Sequence, residues 1–218
     1  MTSTRETPID FIEAFIPDIL SGRKTQTRRP IKISDNTKGL LFDTCNTCLK
    51  QVKCDISLRD VISGIINPDS WCEKWPSFIL LCPYGAPGNH LWVREPWLMI
   101  QVLDIDTGLS HTNEYFYMAD AHPADKVHKI WQSQKIMPKA ASRINLVNKD
   151  VRYERVQDIT TADIIKEGFK TKLSGQDAER DLRSQWKSSW CDIYGLDSWE
   201  RNDLVWAITF EVSSVREI

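Results

Sequence analysis

Residues 203–212 alternate without a break: Leu204, Trp206, Ile208, Phe210 and Val212 fall on one side, and Val205, Ala207, Thr209 and Glu211 on the other. A two-residue period of that length describes a strand with one face in a core, and a helix cannot satisfy it. Shorter stretches repeat the theme. Strand is expected at 90–99, where Leu91, Val93 and Trp97 alternate with Trp92, Arg94 and Pro96. It is expected again at 115–118, around Ile144 and Leu146, and on a following strand around Val151 and Tyr153. Residues 24–33 favour an extended chain, and 8–15 make a first strand or an irregular apolar segment.

Few helices interrupt this pattern. Pro17 suits the first turn of a short helix that Gly22 ends. Residues 161–167 form a second, with Thr160 as N-cap, Asp163 as its capping-box partner and Gly168 as the stop. A third spans 176–193, where Ala178, Leu182, Trp186, Trp190 and Ile193 recur at helical spacing. Residues 83–88 are dense in turn formers. Many short strands with few helices predict an α+β chain built on a small β-barrel with flanking helices.

The chain has 218 residues, 41% of them hydrophobic, which suits one domain over 1–218 with insertions at about 35–80 and 170–193. The formal net charge of −2 makes any nucleic-acid contact a matter of a local basic patch. No apolar signal region opens the chain, and no run reaches the roughly 18 apolar residues of a membrane span. A cytoplasmic protein with no membrane partner is expected. Six cysteines in that compartment argue against a disulfide framework.

The local basic patch is 21–30, which holds Arg23, Lys24, Arg28 and Arg29 directly after the predicted glycine stop. A charge run of this kind is either a solvated surface or a seat for an anion such as phosphate. Gly22, Lys24 and Arg29 spell Gly-x-Lys-x-x-x-x-Arg. That motif resembles the signature of the ASCH-domain family, whose members have a barrel similar to the PUA RNA-binding domain. Further along stand Cys82-Pro83-Tyr84-Gly85, Gly88 with Leu91-Trp92-Val93-Arg94-Glu95, Met137-Pro138 with Ala141-Ser142-Arg143, and Val205-Trp206. Together they resemble ASCH proteins carried by phages and prophages, in the same order and over about three quarters of the chain. Asn89 stands where the family usually has Asp after Gly.

Three residues carry the chemistry of a candidate site. Lys24 lies among like charges, which disfavour its protonated form and let it act as a base. Thr27 offers a hydroxyl that needs such a base to become a nucleophile. Glu167 falls at the expected exposed end of the 161–167 helix, where the dipole disfavours a carboxylate. Some small bacterial ASCH proteins are amidohydrolases that remove the acetyl group from acetylated cytidine. The resemblance lays their catalytic Lys, Thr and Glu over Lys24, Thr27 and Glu167. It implies Thr27 as nucleophile, Lys24 as activator and Glu167 as proton carrier to the leaving amine. Other ASCH proteins resemble nucleases or plain RNA binders.

Around the trio, Arg23, Arg28, Arg29, Arg94 and Arg143 are expected to meet phosphate or base edges. Trp92 or Trp97 would stack on a base, and Glu95 would line the cleft. Cys45-x-x-Cys48 with Cys54 and then Cys72 or Cys82 could hold a structural zinc, while catalysis calls for no cofactor. The leading expectation is recognition of RNA or a modified nucleoside, with amide hydrolysis of an acylated cytidine. The alternative is a non-catalytic nucleic-acid or protein-binding module, a phage regulator of a host component.

Overall fold

A computed structural model describes residues 6–31, 82–103 and 111–216. Its centre is the strand that the alternation predicts, β7 (Leu204–Val215). On one side β7 pairs antiparallel with β6 (Ile144–Arg155), from Ile144 opposite Val215 to Arg155 opposite Leu204. On the other it pairs antiparallel with β2 (Gln26–Pro30), Thr27 standing opposite Ile208. Next to β6 comes β3 (His90–Arg94), and the parallel β1 (Glu6–Asp10) closes the order β1-β3-β6-β7-β2. The two strands expected around Ile144 and Val151 are one, β6. Its register shifts at Asn145/Leu146 and Asn148/Asp150. Such bulges bend a long strand without ending it.

The sheet curls. Arg29 on β2 donates through Nη2 to the backbone carbonyl of Asp10 on β1, so one side chain spans the gap between the two outermost strands. Among the described residues these two strands share no ladder, and the sheet stays open. Its concave side holds the main core, which includes Ile9, Phe11, Leu91, Ile144, Leu146, Trp206, Ile208 and Phe210.

The convex side is covered as well, which the alternation did not foretell. Val205 and Ala207, expected to face outward, are 0% exposed. A second core of Ile159, Ile164, Leu182, Trp186 and Trp190 packs with Val205. Apart from Ile159, which precedes them, these residues come from α3 (Thr161–Lys166) and α4 (Gly175–Tyr194), the helices predicted at 161–167 and 176–193. Thr160 caps α3 as expected, accepting from the Asp163 amide at 3.1 Å. The Asp163 carboxylate does not return the bond. It binds Arg28 and Arg152 instead.

The strand expected over 90–99 is divided in two. β3 stops at Arg94, Glu95 and Pro96 break the run, and β4 (Trp97–Leu103) pairs antiparallel with β5 (His111–Tyr117) in a separate hairpin. Proline has no amide hydrogen for a ladder, so the break falls where the sequence permits it. Trp97, Tyr117, Met137 and Ala141 form a third small core beneath the hairpin. Three short helices complete the fold: α1 (Ile16–Leu20), α2 (Pro123–His128) and α5 (Leu196–Glu200). Among the described residues no helix is long and apolar enough to cross a membrane. The insertion at about 35–80 lies outside the described residues, and with it Cys45, Cys48, Cys54 and Cys72. Cys82, the other candidate ligand, is buried in the main core.

Candidate active site

The site begins at the turn that follows α1. Gly22 takes φ +71°, a left-handed conformation that suits glycine. The amides of Arg23 and Lys24 both donate to the Asp18 carbonyl at 2.9 Å. This fixed turn aims Lys24 inward before β2 starts at Gln26. Lys24 and Thr27 need not alternate across a strand, and both line one cavity.

The opposite wall comes from the end of α3. Glu167 is the C-cap of that helix, and Gly168 turns the chain away with φ +101°. A Cβ at Gly168 would meet Asp18 Oδ2 at 3.4 Å and Lys24 Cβ at 3.5 Å, ordinary contact distances, so it is the backbone conformation that favours glycine. The Thr25 amide donates to the Lys166 carbonyl at 2.9 Å and ties β2 to the helix end. Lys24 Nζ then reaches Glu167 Oε2 at 2.7 Å and the Glu167 carbonyl at 2.6 Å. Glu167 was expected to be exposed. It is 2% exposed, because buried cations approach both of its carboxylate oxygens. Burial pushes the Lys24 ammonium below its usual pKa, Glu167 opposes that shift, and Arg29 and Arg28 add to it.

Arg28 is the second cation on Glu167, with Nη1 at 3.0 Å from Oε1. Its Nε meets Glu154 at 2.6 Å, its Nη2 meets Asp163 at 3.2 Å, and its side chain is fully buried. Three carboxylates therefore share this guanidinium. Arg23 is exposed, bonded through Nε to Asp18 at 2.8 Å, and does not line the cavity. Arg29 lines it. Besides the Asp10 carbonyl it meets the Tyr194 hydroxyl at 3.4 Å and lies 5.1 Å from the centre of the Phe11 ring. Its Nε is buried without a hydrogen-bond partner.

The cavity has a volume of about 380 Å³, within the range of small-ligand sites. Its walls are aromatic. Lys24 Nζ stands 4.5 Å from the Phe15 ring centre. From there the contacts run Phe15–Phe169 at 6.3 Å, Phe169–Trp186 at 6.0 Å, Trp186–Trp190 at 5.5 Å and Trp190–Tyr194 at 4.4 Å. Trp186, Trp190 and Tyr194 recur every fourth residue on α4, a spacing that reads equally well as plain core. Phe11 and Phe15 carry the same spacing near the N-terminus. Tyr84 also lines the cavity, and burial raises its phenol pKa while Arg29 pulls it down.

Most of the second expected constellation lies elsewhere. Of Trp92, Arg94, Glu95, Trp97 and Arg143, Arg94 alone lines the cavity. Trp97 is buried under the β4–β5 hairpin, and Trp92 is half-buried 5.8 Å from the Arg94 guanidinium. Glu95 is 1% exposed and accepts from Arg143 Nε at 2.9 Å and Nη2 at 3.1 Å. Burial raises the Glu95 pKa against the pull of that arginine. Arg143 also covers the Tyr117 ring at 4.0 Å. Neither expected tryptophan platform reaches the trio. The side chains available for stacking there come from α4, from Phe169 between α3 and α4, from Tyr84 and from the N-terminal segment. Asn89 accepts from the Ala86 amide at 3.1 Å and closes a turn. Among the described residues no group of three or more His, Cys, Asp or Glu side chains could hold a metal ion.

No family model matches this chain, and no curated protein matches it. Among solved structures it is similar to protein EF3133 from Enterococcus faecalis V583, described as family-model DUF984. The likeness covers 100% of this chain and 86% of that one, at 11% identity and a TM-score of 0.38. A likeness this distant carries no argument.

Proposed function

We propose that this chain is an amidohydrolase that removes an acyl group from the exocyclic amine of cytidine. The observation that carries the reading is the buried Lys24–Glu167 pair, 2.7 Å apart, in an aromatic cavity that Thr27 also lines. In the resting pair the proton sits on Lys24. Burial lowers the cost of passing it to Glu167 Oε2, which leaves a neutral amine and a carboxylic acid side by side. Thr27 Oγ attacks the acyl carbon and gives its proton to Lys24 Nζ. The carbon–nitrogen bond breaks, and Glu167 gives its proton to the departing amine. The products of this half are an ester on Thr27, free cytidine and the original ion pair. Water then cleaves the ester, with the same pair accepting the water proton and returning it to Thr27 Oγ.

The charge pattern favours a small ligand over an RNA backbone. Arg28 is shared by three carboxylates and Arg23 is paired with Asp18, so little of the basic run is free to meet phosphates. The resemblance to ASCH proteins points to the same acylated base. The reading also takes the curled sheet as the wall of a PUA-like β-barrel. The Arg29 bridge between β1 and β2 supports that view.

The test is release of cytidine from N-acetylated cytidine by wild type, Lys24→Met and Glu167→Gln. Loss of a positioned acid or base lowers turnover by roughly 10²–10⁴-fold, and both variants should fall by that much. Equal, background-level release by all three overturns the enzyme reading and leaves a binding cavity.

A further inference from the structure

The cavity carries more positive charge than its own carboxylates balance. Lys24, Arg28, Arg29, Arg94 and Lys135 line it against Asp10 and Glu167. Lys24 pairs with Glu167, and Arg94 pairs with Asp10 at 2.6 Å. Arg28 is answered from outside the cavity by Glu154 and Asp163. Among the described residues no carboxylate pairs with Arg29 or Lys135. Arg29 instead has two neutral acceptors and a buried Nε without a partner. A charge in so sheltered a place is costly without a counter-charge.

The excess is layered by depth. Lys24, Thr27 and Glu167 are 1%, 4% and 2% exposed and make the floor. Arg94 is half-buried and Lys135 exposed, so these two mark the mouth. Arg94 Nη1 donates to the Lys135 carbonyl at 2.9 Å, which sets the two cationic residues side by side. Asp10, the cavity carboxylate nearest them, is already engaged by Arg94.

We infer that the mouth is a phosphate subsite, and that the ligand class of this cavity is a nucleoside monophosphate. This rests on the proposed seating of the acylated base at the floor. A base held against Lys24 and Thr27 directs its ribose outward and brings a ribose-linked phosphate to Arg94 and Lys135. Such a phosphate carries about −1.5 to −2 charge at pH 7, enough to offset the unpaired Lys135 at the mouth. Guanidinium and ammonium groups are the side chains that bind it best.

Calorimetric titration of the protein with cytidine and with cytidine 5′-monophosphate tests this without requiring turnover. The monophosphate should bind roughly tenfold more tightly, as one charge-assisted contact predicts. Lys135→Gln should remove most of that preference and leave cytidine affinity unchanged. Lys129→Gln, an exposed lysine outside the cavity, should leave both affinities unchanged. The preference should also shrink as salt rises. Equal affinity for the two ligands overturns the phosphate subsite, as does a preference that Lys135→Gln leaves intact. If acetylated cytidine is turned over with no preference for its monophosphate, the subsite alone fails. If neither compound binds and nothing is turned over, the seating of the base in the cavity fails with it.

Discussion

At the scale of single residues, Arg28 ties together three carboxylates from a fully buried position. It holds Glu167 from the side opposite Lys24 while Glu154 and Asp163 hold it in turn. Arg28→Met would leave three carboxylates facing one another without their shared cation. Breaking a buried pair costs about 3–5 kcal/mol, and urea unfolding of this variant should show a loss of that order. Tyr117 offers a milder test outside the cavity. Its hydroxyl donates to the Ala141 carbonyl at 2.7 Å, and burial pushes its pKa up to about 12. A phenol whose folded pKa is raised adds stability below its unfolded pKa and loses it as pH climbs through the folded value. Tyr117→Phe should therefore cost about 1 kcal/mol near neutrality. The difference from wild type should fade between pH 10 and 12 in denaturant melts.

At the scale of elements, α3 positions half of the site. Its cap is a single hydroxyl, Thr160 Oγ1 on the Asp163 amide. Thr160→Ala should lower stability by about 1 kcal/mol in urea titration. The helix, its cap and its glycine stop are all legible from local chemistry. So is α4, because its apolar positions repeat at a helical period. The burial of Glu167 is not legible, since its partners Lys24 and Arg28 lie 143 and 139 residues away in sequence. No local pattern carries a contact of that range. β7 teaches the same lesson from its outer face. Its alternation correctly marks Trp206, Ile208 and Phe210 as core. Val205 and Ala207 look solvent-facing, yet both are buried, Val205 in the core that α3 and α4 build over it.

At the scale of the whole molecule, the site exists because the sheet curls. β1 and β2 are the first and last strands of the order, yet Arg29 reaches from one to the other, and the cavity is lined from both. The trio of Lys24, Thr27 and Glu167 could be named from motif spacing and resemblance. The aromatic walls could not, because Phe11, Phe15, Trp186 and Trp190 carry a spacing that any core helix shares. The chemistry assigned to this cavity stands or falls on Thr27. Cytidine release from N-acetylated cytidine should be measured for wild type, Thr27→Ser and Thr27→Ala, with cytidine affinity measured beside it. Serine keeps the attacking hydroxyl, so Thr27→Ser should retain turnover and Thr27→Ala should abolish it, while both variants still bind cytidine. Wild-type turnover by Thr27→Ala would contradict the account.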